Sequence, residues 1–362
     1  MLFTTLFILT VIELIYRFFF KRDAFTEKGN YGLTINTLNT KYGYTIKNIN
    51  RIHHTKIMNS NGDTVFNVTY TIIPDSGFNK QEINHRIAYR NVSGTDSIEV
   101  IFLGCSFTFG SGINDTETLP YQFGKFSNVN TLNMGSGGWG THQVYQLFRN
   151  KYAEIPDKKK RVFVYSFIPD HLLRAKCIYS WDANDPYFIV RNDTLHLAGP
   201  AYKNSSAAKV HLVARFVTLA KSLTFLSDLE NNLVTLNASK KVNEEDYKRV
   251  FLMLREINNI TRNRSDQFVI LHWNDYKDPV PGTPSFVSKE KMNSLLNDLQ
   301  KNGAIIINVS DILDIGDSAN FIAKDNHPNS VGNGKIAQYL VNRFFKGQAI
   351  SVAEKQFPVA HK

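Results

Sequence analysis

From residue 95 onward the chain alternates short apolar runs with longer amphipathic stretches. The runs at 98–103 (IEVIFL), 129–134, 161–168 (RVFVYSFI), 267–271 (QFVIL) and 304–309 (AIIINV) are five to eight residues long and rich in β-branched and aromatic residues. That length and composition predicts buried strands. The stretches 244–263, 288–302 and 331–345 carry the helical period instead; in the last, Ile336, Leu340 and Phe344 recur every four residues. Strands alternating with helices predict a parallel sheet covered on both faces, and five strands suffice for one doubly wound α/β domain.

The flanking regions follow other patterns. Residues 64–73 alternate polar and apolar after the turn-forming run 59–63 (NSNGD), which predicts a strand after a tight turn. Residues 23–94 are therefore expected to form a small β-rich lead-in packed beside the main domain and carrying no chemistry. The main domain is expected over 95–347, interrupted by an insertion at 172–241 whose Tyr179, Trp181, Tyr187, Phe188 and Tyr202 could roof a cleft or form a stabilising flap. A tail covers 348–362. At the other end, residues 1–20 (MLFTTLFILTVIELIYRFFF) are long and apolar enough for one membrane crossing and are closed by Lys21 and Arg22, so 1–22 read as an uncleaved transmembrane anchor contacting membrane lipid. Glu13 and Arg17, four apart, share a helical face and can neutralise each other. Basic residues after the anchor argue for a cytoplasmic domain.

Composition narrows the class. Of 362 residues, 43% are apolar and 20% charged, as in a globular protein. Forty-two basic against 32 acidic residues leave a net charge of +10, suited to an anionic partner. No nucleic-acid module accompanies it, and the basic run Lys158-Lys159-Lys160-Arg161 reads as solvated surface, so nucleic acid is not an expected partner. Two cysteines exclude a disulfide scaffold, and His53, His54, His142 and His272 lack metal-ligand spacing, so no metal is expected.

In open α/β sheets ligands bind beyond the carboxyl ends of the strands. After the first strand comes Gly104-Cys105-Ser106-Phe107-Thr108-Phe109-Gly110. After the second comes Asn133-Met134-Gly135-Ser136-Gly137-Gly138-Trp139-Gly140. Before the last helix lies Asp325-Asn326-His327-Pro328-Asn329. A serine, glycine-borne amides and an Asp/His pair are the parts needed for acyl transfer through a covalent serine intermediate. Ser106 would be the nucleophile, His327 its base and Asp325 the group orienting the imidazole, with the amides of Ser106 and Gly138 holding the oxyanion. Side chains two apart on an extended segment point the same way, which would bring Asp325 and His327 to one site. Asn329 or Ser330 is also a candidate cap for the last helix.

These three segments resemble the conserved blocks of the SGNH (GDSL-like) hydrolases: residues 101–110 the first block with Ser106 at the nucleophile position, Asn133-x-Gly135-x-x-Gly138 the second, and residues 325–329 the last. The resemblance spans about 97–345. It implies a three-layer α/β/α sandwich of flavodoxin-like type and cofactor-free ester hydrolysis or acyl transfer, often on a glycan or lipid. The pattern Glu13-Leu14-Ile15-Tyr16-Arg17 is similar to that of membrane-attached bacterial members. Two positions depart from the family. Cys105 stands where an aspartate commonly precedes the nucleophile. Pro169-Asp170-His171 stands where the third block supplies an asparagine, so His171 is a candidate oxyanion donor, with Asp170 and Trp139 candidates for contacting substrate. The reading is a membrane-anchored, extracytoplasmic or periplasmic serine esterase acting on an acylated carbohydrate or lipid; the alternatives are an O-acyltransferase to a sugar hydroxyl and a catalytically impaired glycan-binding domain.

Overall fold

The computed structural model describes Val11 and residues 26–29, 36–46, 51–58, 64–74, 84–91, 98–151, 160–177, 182, 184–203, 242–274, 287–323 and 325–345. Five strands form the parallel centre. With the strands numbered along the chain, these are β7 (Ile98–Gly104), β8 (Asn130–Gly135), β9 (Lys160–Phe167), β12 (Gln267–His272) and β13 (Ile305–Asn308), in the order β8-β7-β9-β12-β13. This is a doubly wound order, with its switch point where β7 lies between β8 and β9. Every expected strand of this group is present within one or two residues of its expected ends.

Strand alternation splits the core. On β7, Ile101 and Leu103 join the cluster under helices α3 (Thr141–Lys151), α5 (Glu244–Asn263) and α6 (Lys289–Lys301), while Val100 and Phe102 join the cluster under α2 (Leu119–Ser127) and α7 (Ser330–Phe345). Both faces are apolar because both are covered, the reason these strands read as continuous apolar runs. The expected helix at 244–263 matches α5 at both ends; its start is fixed by a reciprocal cap in which Asn243 and Asp246 each accept the other's backbone N–H.

The lead-in departs from expectation. Strands β1 (Thr26–Gly29), β4 (Arg51–Met58), β5 (Thr64–Pro74) and β6 (Asn84–Arg86) are not packed beside the domain; they continue its sheet in the order β1-β4-β5-β6, and Arg86 pairs antiparallel with Asn133 of β8. Among the described residues the sheet thus has nine strands. A short hairpin of β2 (Asn36–Asn39) and β3 (Gly43–Ile46) forms a separate two-stranded sheet whose Tyr44 packs in the main core. Ile46, Ile57, Phe66, Val68, Tyr70 and Ile72 form a third core cluster with Phe109 of the main domain, so the joint is packed as well as hydrogen-bonded.

The described part of the insertion includes the hairpin of β10 (Pro186–Arg191) and β11 (Thr194–Pro200). Its Phe188 is fully buried, edge-on to Tyr145 of α3 at 5.0 Å, in the core under α3, α5 and α6. It acts as packing on those helices. Tyr179, Trp181 and residues 204–241 lie outside the described residues, as do the expected turn at 59–63 and, Val11 apart, the expected anchor at 1–22. Among the described residues no helix is long and apolar enough to cross a membrane.

Leu340 of α7 is fully buried among Val100, Phe102 and Val164. Leu340→Ala should lower stability by about 2–5 kcal/mol, read as a fall in the thermal midpoint, because the vacated volume is only partly refilled.

Candidate active site

β7 ends at Gly104, whose φ of +143° and tight surroundings (a Cβ would lie 2.6 Å from Thr108 Oγ1) admit only glycine. The chain then turns into the four-residue helix α1 (Ser106–Phe109). Phe107, Thr108 and Phe109 are buried; Ser106, the first residue, is half-exposed. Thr108 Oγ1 donates back to Leu103 O at 2.9 Å and Ser136 N–H donates to Gly104 O at 3.0 Å. Gly110, at φ +82°, ends the helix in the left-handed region. Gly135 lets β8 pass beneath, since a Cβ there would lie 2.3 Å from Phe109 N.

The second contribution arrives from far along the chain. His327 Nε2 lies 2.8 Å from Ser106 Oγ, and His327 Nδ1 lies 2.9 Å from Asp325 Oδ1. With the carboxylate accepting from Nδ1–H, Nε2 is the bare nitrogen that accepts the Ser106 hydroxyl proton. Both side chains are 18% exposed. Phe107 flanks the imidazole with ring centres 5.3 Å apart, and Trp273 backs Phe107 edge-on at 4.9 Å.

The segment holding Asp325 and His327 is not extended. Ile322 O accepts from Asp325 N and Asn326 N, Ile322 N–H donates to His327 O, and Asn326 takes φ +61°, so the two side chains meet across a tight turn. Asn329 caps α7, its Oδ1 accepting from Val331 N and Gly332 N. The motif therefore serves both expected purposes: Asn329 caps, and Asp325 and His327 face Ser106.

The expected oxyanion and substrate groups divide. Ser106 N–H sits at the first position of α1, where no intrahelical acceptor exists. Gly138 is half-exposed with φ +81°. Trp139, by contrast, is fully buried, and its indole N–H donates to Tyr44 O at 3.0 Å, so it cannot contact substrate as expected. Asp170 is paired with Arg174 at 2.6 Å, and Arg174 in turn donates to Trp139 O at 2.9 Å, bracing the glycine loop. His171 is fully buried, stacked on Tyr165 with Nδ1 2.7 Å from its hydroxyl, so it faces the interior and cannot serve a ligand as oxyanion donor. It opens the one-turn helix α4 (His171–Arg174), with its ring 5.8 Å from that of Phe167 at the end of β9. Burial, aided by the positive Arg174 and by His142, holds the His171 pKa well below its ordinary value.

Neither a protein-family model nor a curated protein matches the sequence. Solved structures to which the chain is similar include a lipolytic protein of the G-D-S-L family from Veillonella parvula (14% identity, 69% of this chain and 99% of that one, TM-score 0.39). An acetyl xylan esterase from Butyrivibrio proteoclasticus (12% identity, 72% and 64%, TM-score 0.36) and an extracellular lipase from Streptomyces rimosus (12% identity, 68% and 99%, TM-score 0.33) are also similar. At such identities the reaction has to be read from the site's own geometry.

The neutral His171 generates a pH dependence. Below about pH 6.5 an unfolded chain protonates this histidine while the buried ring stays neutral, so folding stability falls with falling pH. His171→Asn, which keeps a polar partner for Tyr165, should reduce the mean slope of unfolding free energy between pH 6.5 and 5 by about 1 kcal/mol per pH unit, measured by denaturant titration.

Proposed function

We propose that the protein is a serine ester hydrolase of the SGNH type. The observation that carries this reading is the continuous relay from Ser106 through His327 to Asp325, at 2.8 and 2.9 Å, at the carboxyl edge of a parallel sheet. In the first step Ser106 Oγ attacks the ester carbonyl while its proton passes to His327 Nε2. Asp325 stabilises the imidazolium, and the amides of Ser106 and Gly138 donate to the oxyanion. Collapse expels the alcohol, which takes the proton from His327, and leaves an acyl-serine. Water, deprotonated by His327, then attacks the acyl group and frees Ser106. Transfer to a sugar hydroxyl shares the acyl-serine and differs only in the second nucleophile.

A fluorophosphonate should label the full-length protein at Ser106, and Ser106→Ala should abolish both labelling and release of p-nitrophenol from p-nitrophenyl acetate. Asp325→Asn should lower kcat by about 10⁴-fold, since the amide favours the wrong imidazole tautomer. A folded protein whose Ser106 stays unlabelled would instead be a binding domain.

For the substrate we propose an O-acylated envelope glycan or lipid, reached by a domain tethered outside the cytoplasm through residues 1–22. The support for the tether is the apolar run at 1–20, and for the substrate class the resemblance to hydrolases that often act on a glycan or lipid; the basic Lys21 and Arg22 argue the other way on orientation, which the reporter decides. Deleting residues 1–22 should move the protein from the carbonate-washed membrane pellet to the supernatant, and an exported-only reporter fused after Lys362 should be active.

A further inference from the structure

The nucleophile helix is held at its far end by a residue from the lead-in. Arg86, the last residue of β6, is fully buried. Its Nε–H donates to Asp115 Oδ1 at 2.8 Å; Nη1 donates to Phe109 O at 2.9 Å and Gly110 O at 2.6 Å; Nη2 donates to Ile113 O at 2.7 Å and Thr69 O at 3.2 Å. A guanidinium has five N–H donors, and these contacts occupy all of them. The plane lies over the Tyr70 ring at 4.4 Å from its centre, with the Phe109 ring at 5.1 Å. Asp115 also accepts from Thr71 N, fastening the same carboxylate to β5. Gly110 leaves room, since a Cβ there would lie 3.1 Å from Nη1.

Three of those five bonds end on carbonyls of the segment 109–113, which starts at the last residue of the helix that carries Ser106. A single helical turn has too few internal hydrogen bonds to fix its own position. The hydrogen bonds that a carboxylate before the nucleophile could make are absent, because Cys105 occupies that place and is buried. A buried ion pair is seldom more stabilising than an apolar replacement of similar volume, so what a fully engaged arginine adds is geometry.

We propose that Arg86 is a positioning residue for the nucleophile: by clamping the carbonyls of Phe109, Gly110 and Ile113 against Asp115 it sets the orientation of α1, and with it the distance from Ser106 Oγ to His327. The lead-in is thereby part of the active site. This rests on the serine-hydrolase reading, and the test separates the two.

The experiment compares wild type, Arg86→Lys, Arg86→Met and Asp115→Asn as full-length proteins, each held at least 15 °C below its own melting temperature so that all are folded. The rate of fluorophosphonate labelling at Ser106 and the kcat and KM for p-nitrophenyl acetate are measured. Lysine supplies fewer donors and methionine none, so labelling and kcat should fall in the order wild type, Lys, Met, by about 10-fold and about 100-fold, with KM changed less than about 2-fold. Asp115→Asn, which keeps an acceptor for Nε–H but loses the charge, should fall by about 3- to 10-fold with the same signature. A merely structural role would lower the melting temperatures and leave the labelling rate of the folded protein unchanged; that result in Arg86→Lys overturns the proposal. Should both Arg86 variants fail to fold, Asp115→Asn decides it on the same readout. Absence of labelling in folded wild type would remove the hydrolase reading itself, and this proposal with it.

Discussion

A helix of four residues cannot hold itself in place, and everything the site does depends on where this one points. Ser106 occupies its first turn, so a tilt of α1 moves the hydroxyl relative to an imidazole contributed by a segment more than two hundred residues later. The surroundings answer this with contacts at each end. Gly104 and Thr108 fix the entry from β7, Gly135 lets β8 press against the helix backbone, and Arg86 with Asn133 takes up its exposed carbonyls. Little of that grip comes from the helix's own hydrogen bonds, which is why residues distant in sequence converge on it.

What could be read from the sequence follows from which forces are local. The five central strands and α5 to α7 announce themselves because burial on both faces of a sheet, or on one face of a helix, imposes a repeat on neighbouring residues. Ser106, Gly138, Asp325 and His327 stand out because each falls directly after a strand or before a helix, where open sheets place ligands. The edge strands are harder to read. β4 to β6 carry threonine, asparagine and histidine on a sheet with one apolar face, and nothing in β6, Asn-His-Arg, indicates that it bonds to Asn133. Its Arg86 resembles any surface arginine until the carbonyls that surround it are assembled from two other segments, β5 and 109–113.

Trp139 and His171 miss their expected roles for one shared reason. Both lie next to chemically promising positions, a glycine loop and a strand end, yet both are large rings adjoining a core that needs filling. Trp139 seals the space beneath Tyr42 and Tyr44, and His171 stacks on Tyr165. Neither lies on a strand, where alternation would mark the inward side: Trp139 follows the turn after β8, and His171 opens a one-turn helix four residues beyond the end of β9.

Two arginines then serve parallel ends on the two sides of the nucleophile. Arg86 binds the carbonyls behind Ser106, and Arg174, oriented by Asp170, binds Trp139 O directly after Gly138. In each case a cation is fixed by a carboxylate and spends other donors on carbonyls of a segment whose amides already donate within the protein: Gly110 and Ser111 N–H to Ser106 O, Gly112 N–H to the Tyr70 hydroxyl, and Gly140 N–H to Gln143 Oε1. With both their carbonyls and their amides engaged, these segments hold the backbone that flanks Ser106 and Gly138. For a site whose candidate oxyanion donors are backbone amides, donor direction depends on the flanking backbone being held in this way. Asp170, at the position where the resemblance calls for a donating side chain, instead orients Arg174 and through it the carbonyl of Trp139, directly after the glycine loop.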